Sequence, residues 1–127
     1  MKPAKPRAYL SLLRFAFPLN AILSITHRVT GIIIFISLLL TMTLLTLSLE
    51  GSDFLLNLLS FFQTPYGKAI LSLALISLLF HWLAGIRHLI TNAKLEWSEP
   101  DKVKATAYQL LVVWTGLSAS GIYWIWW

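Results

Sequence analysis

The chain has no cysteine. That excludes disulfides, and it excludes thiolate ligation of an iron–sulfur cluster by this chain. Charge is scarce: Asp, Glu, Lys and Arg make up 12% of the 127 residues, and five of them are acidic. There is no glycine-rich phosphate loop and no close histidine–carboxylate metal signature, so the common nucleotide and hydrolytic-metal chemistries have no foothold. No internal repeat or low-complexity tract appears. No short apolar core with a small-residue cleavage site precedes Arg14, so no cleavable signal peptide is expected. What abounds is apolar, 57% of the residues. A soluble domain of this size has too little interior for that share, so the expectation is an integral membrane protein forming one compact domain, residues 1–127. The net charge of +5 then speaks for basic flanks beside membrane lipid, with no nucleic-acid partner.

The apolar residues divide into three runs. A basic, proline-bearing arm, residues 1–20, is followed by expected spans at about 21–49, 67–92 and 104–127. Phe54–Phe62, between the first two spans, reads equally as a short interfacial helix or as a hydrophobic loop. A charged loop, Lys94–Lys104, separates the second and third spans, with Ser98 and Asp101 as a capping signal. In the third, Gly116 and Ser120 are spaced for close helix packing, and Tyr123, Trp124, Trp126 and Trp127 suit the far interface. Nearly all Lys and Arg lie in the arm and the second loop. Positive-inside counting therefore puts the N-terminus in the cytoplasm and the C-terminus outside.

Two of the runs carry polar stripes. Ser77, His81, Gly85 and His88 share one face of the second span, with His81 and His88 about 10.5 Å apart along it. Ser24, His27, Arg28 and Gly31 share one face of the first. An ionisable stripe is costly against lipid and should face a bundle interior or a cofactor. His81 lies deepest, while His27, Arg28, Arg87 and His88 fall at one inner level. Gly85, one turn from His81, leaves room for a flat object. Imidazole suits haem iron, but a lone intramembrane histidine serves equally well as a helix-packing donor. No two histidines here are spaced to ligate one iron from both sides, so a second ligand would come from another subunit. His27, Arg28, Arg87 and His88 suit haem propionates, and Ser24 and Arg28 can donate to quinone carbonyls.

Ser24-Ile25-Thr26-His27-Arg28-Val29-Thr30-Gly31 and His81-Trp82-Leu83-Ala84-Gly85-Ile86-Arg87-His88 resemble the two signatures of a known family, S-I-x-H-R-x-[ST]-G and H-x-x-x-G-x-R-H. The family is the cytochrome b membrane anchor of succinate dehydrogenase (respiratory complex II). Motif order, spacing and the three-span layout match over nearly the whole chain. The resemblance implies an all-α membrane fold, three transmembrane helices making half of a haem-binding bundle completed by a second membrane-anchor subunit. It implies His81 as an axial ligand of haem b, and His27, Arg28, His88 and Arg87 near its propionates. It places Ser24 and Arg28 at the ubiquinone site, bordering the iron–sulfur subunit. Electrons would come from succinate through FAD in a flavoprotein subunit and through iron–sulfur clusters, with no complete activity in this chain. Two departures stand out: Asn92 occupies a position where the family commonly has aspartate, and the mitochondrial-type S-P-H-L stretch is missing. The chain thus resembles the bacterial branch, expected in the inner membrane. The readings set against this one are a fumarate reductase anchor and a non-redox three-span protein, such as a small transporter subunit or assembly factor.

Overall fold

The computed structural model describes residues 19–49, 51–93 and 99–127, and every element among them is helical. The order is α1 (Leu19–Ser48), α2 (Ser52–Gln63), α3 (Pro65–Ala93) and α4 (Pro100–Trp126). Two of them, α1 and α3, are long and apolar enough to cross a membrane. α4 has 27 residues, about 40 Å at the usual rise, but opens on Asp101, Lys102 and Lys104. The expected arm lies outside the described residues, except that Leu19 and Asn20 already belong to α1.

The threonine hydroxyls of α1 turn back on the helix's own backbone. Thr26 Oγ1 donates to the Ile22 carbonyl at 2.9 Å, Thr41 to Ser37 at 2.7 Å and Thr46 to Met42 at 3.0 Å. Hydroxyls bonded to their own helix need no water, which is what a lipid environment demands. Phe54–Phe62, which fits helix and loop equally by its pattern, belongs to the helix α2. One residue, Thr64, joins it to α3: its hydroxyl donates to the Phe61 carbonyl at 2.7 Å and accepts the Gly67 amide at 3.2 Å. It thereby closes one helix and caps the next, whose first residue is Pro65. Gly67 makes this corner feasible, because a Cβ there would run into the Phe61 carbonyl and lie 2.6 Å from Phe62 Cα.

α3 is the central helix, packed on α1 and α4. The core is Leu23, Phe80, Ala84, Ala107 and Leu110, flanked by Leu83 and Trp114. Phe80 and Trp114 meet edge to face at 5.4 Å, and Trp114 Nε1 donates to the Ile76 carbonyl at 3.1 Å. Trp126 Nε1 donates to Ser72 Oγ at 3.1 Å. Lys68 Nζ reaches the Trp126 carbonyl at 3.4 Å, joining the start of α3 to the end of α4. Such a cation suits a helix C-terminus.

Two local expectations are corrected. The charged loop Lys94–Lys104 is shorter, since Pro100–Lys104 is already helix, with Glu99 in the cap position and no side-chain cap bond. Proline at the first helical position costs no hydrogen bond, which favours this start. Ser98 lies outside the described residues. On α4 the tight approach falls at Gly121, pressed by the Leu75 side chain, while Gly116 faces open space and Ser120 is exposed. The small-residue spacing marks the right helix for a close contact but stands one position off the face that α3 uses.

Candidate functional site

α1 and α3 run antiparallel past one another, and their two polar stripes meet. The imidazoles of His27 and His81 stack at 4.1 Å between centroids, 9° from parallel. His88 lies beyond, 5.6 Å from His27 and tilted by 58°. A glycine sits opposite each ring of the stacked pair. A Cβ on Gly31 would lie 3.0 Å from His81 Cε1, and a Cβ on Gly85 would lie 3.6 Å from His27 Nε2. The flat object beside Gly85 is thus the His27 ring. His81 does not lie deeper than His27; the two share one level, because the antiparallel register sets each ring over the other helix's glycine.

The His81 ring is held on one nitrogen. Its Nδ1 lies 3.0 Å from the His27 carbonyl and 3.5 Å from Thr30 Oγ1. A carbonyl only accepts, so Nδ1 carries the proton and Nε2 keeps the ring's lone pair. Thr30 is 7% exposed, and its hydroxyl donates to the Thr26 and His27 carbonyls at 2.9 and 3.0 Å. Sequence reasoning gives Thr30 no role beyond its place in a motif. The signal that could have found it is a hydroxyl three residues after His27, on the turn that faces α3.

Beside the stacked pair an open groove of about 450 Å³ is lined by His27, Arg28, Gly31, Ile32, Phe35 and His81. Arg28 is exposed on α1, and no residue lining the groove is acidic. The groove therefore offers an imidazole nitrogen, one cation and apolar walls. Ser24 is half-buried one turn before Arg28 and does not line the groove. Ser77, on the same stripe as His81, is buried at 2% exposure.

Arg87 goes elsewhere. Its Nε donates to Thr106 Oγ1 at 3.2 Å, and its Nη2 to Asn20 Oδ1 at 2.9 Å and the Val103 carbonyl at 3.0 Å. One guanidinium thus ties three helices together. It also borders a second cavity, about 200 Å³, between α3 and α4 with Leu83, Ile86, Gln109 and Leu110. The structure brings His27, His81, His88 and Arg28 together; it does not bring Arg87 to the groove.

A family model described as succinate dehydrogenase/fumarate reductase transmembrane subunit matches residues 2–127. The chain belongs to that family. A curated relative, the succinate dehydrogenase cytochrome b556 subunit of Coxiella burnetii (strain RSA 493 / Nine Mile phase I), is 35% identical over 127 residues, covering 97% of this chain and 98% of the relative. Family membership makes α1 and α3 membrane spans of an oxidoreductase subunit, not core helices of a soluble domain.

Proposed function

We propose that this chain is the cytochrome b anchor subunit of a succinate:quinone oxidoreductase, holding haem b through His81 and contributing Ser24 and Arg28 to ubiquinone reduction. The observation that carries the reading is the His81 bond: Nδ1–H on the His27 carbonyl leaves Nε2 as a lone-pair donor on a ring that lines an open groove. A metal-ligating histidine is commonly fixed in this way, its other N–H on a backbone carbonyl. The donor set fits haem b, which supplies one-electron chemistry between ferric and ferrous iron. Ile32 and Phe35 give the groove apolar walls, and Arg28 and His27 give it propionate partners, with His88 beyond His27. Arg87, tied to Asn20, Thr106 and Val103, adds positive charge at that end of the bundle and no direct contact.

A haem held by His81 would take its second ligand from a residue other than His81's stacking partner. His27 is that partner, face to face with His81. The second ligand would come from a companion anchor subunit closing the bundle over the groove, a reading that the stacking of His27 on His81 supports. α4 is the third span, with its aromatic end at the far interface. The N-terminus is cytoplasmic and the C-terminus periplasmic, a topology that the Lys and Arg distribution supports. On the cytoplasmic side, flavoprotein and iron–sulfur subunits carrying FAD and the clusters deliver electrons from succinate. Arg28 stabilises the negative charge that grows on a quinone carbonyl as it is reduced, and Ser24 donates a hydrogen bond and relays a proton.

The test is His81→Ala in the assembled complex. The b-type visible spectrum should change or disappear while succinate oxidation with a soluble dye acceptor persists. An unchanged low-spin spectrum would place the ligand on another residue.

A further inference from the structure

We propose that Gly31 and Thr30 are positioning residues for His81. Together with the His27 carbonyl they form a seat on α1 that fixes the tautomer of the ring and tunes it as an electron donor. The inference rests on His81 being the haem ligand, and concerns what holds it.

Three observations define the seat. The His27 carbonyl receives Nδ1 at 3.0 Å, Thr30 Oγ1 approaches the same nitrogen at 3.5 Å, and the ring lies over Gly31. Helix carbonyls are ordinarily shielded by side chains of the following turn. Gly31 stands four residues after His27 and has none, so a ring from the neighbouring helix reaches the carbonyl. Adding a Cβ would bring a carbon to 3.0 Å from His81 Cε1 and 3.4 Å from Nδ1, closer than such contacts ordinarily stand. The ring would have to move by a few tenths of an ångström away from α1, lengthening the Nδ1 bond.

The sign of the effect follows from the bond. An imidazole whose N–H is held by a strong acceptor is a more basic ligand through its other nitrogen. A more basic ligand favours the ferric state. Lengthening the bond weakens that preference, so the reduction potential should rise. Thr30 acts beside Gly31: its hydroxyl orients the His27 carbonyl and offers Nδ1 a weaker second acceptor.

The experiment uses the whole complex, assembled with Gly31→Ala, and measures the midpoint potential of the b haem by redox titration. The expected result is an upward shift, up to about tenfold in the oxidised-to-reduced ratio, or about 59 mV for a one-electron couple. Gly116→Ala is the matched control: the same change in a helix, at a glycine with open space around it. It should leave the potential at the parental value. Loss of haem from an assembled Gly31→Ala complex, with haem retained in Gly116→Ala, is the stronger form of the same displacement. If Gly31→Ala fails to assemble, Thr30→Val decides, because it keeps the size of the side chain and removes only the hydroxyl. It should shift the low-spin electron paramagnetic resonance signal of the haem, and Thr30→Ser should restore it. Parental potential and spectrum in both Gly31→Ala and Thr30→Val overturn the seat, while leaving the His81 assignment to its own test.

Discussion

On its α4 side, α3 is closed; on its α1 side, it is left open. The α3–α4 contact holds Phe80, Ala84, Ala107 and Leu110, an edge-to-face aromatic pair and two indole N–H bonds. Its indole and guanidinium groups find partners within the chain. The α1–α3 contact instead gathers three imidazoles and a cation beside a groove with no acid to balance them. Two glycines replace bulk there, which brings the helices close enough for rings to reach backbone but leaves little apolar surface to bury. The difference separates two uses of the same helix. One face holds the subunit together, and the other waits for what the complex brings. Polar groups without partners are costly in hydrocarbon, which supports the proposal that another subunit covers the open face.

That contrast can be tested from each side. The largest effect belongs to the open side: Arg28→Leu should lower quinone reduction by about 10²–10³-fold, as loss of one charged donor does in other sites. Ser24→Ala should lower it less. Dye-linked succinate oxidation should survive in both, and parental quinone turnover with haem retained would move the quinone site into the companion subunit. On the closed side, Arg87→Met keeps the aliphatic stem and removes three hydrogen bonds across three helices. The detergent-solubilised complex should lose at least about 1.5–3 kcal/mol of stability, the value of a single bond from a charged donor, seen as earlier thermal unfolding. The haem spectrum should stay parental; a changed spectrum would return Arg87 to the haem side. The smallest effect is Trp114→Phe, which keeps a ring against Phe80 and loses the bond to the Ile76 carbonyl. About 1 kcal/mol of stability should go, with haem and quinone activity untouched.

Much of the site is legible in the sequence because it is local. Ser24, His27, Arg28 and Gly31 lie on one face of α1 through helical spacing alone, as do Ser77, His81, Gly85 and His88 on α3. That the two stripes face each other follows in part, since neither belongs in lipid. The fate of Arg87 is not legible. It adjoins His88 in sequence, yet one residue is about a 100° turn on a helix, enough to carry the guanidinium away from the groove to where α1 and α4 both offer it acceptors. The close approach on α4 is not legible either: Gly116 and Ser120 carry the close-packing spacing, and the rotation of α4 about its axis brings Gly121 to Leu75 instead.

By itself the sequence determined the membrane class, because 57% apolar residues have no other solvent, and the makeup of each polar stripe, because the helical repeat depends on the backbone alone. Only the tertiary structure decided that His27 stacks on His81, that Gly31 exposes a carbonyl to Nδ1, and that Arg87 bonds to α4. Those outcomes depend on the register and rotation of one helix against another. Register and rotation come from side-chain packing summed along the whole contact, which no local pattern contains.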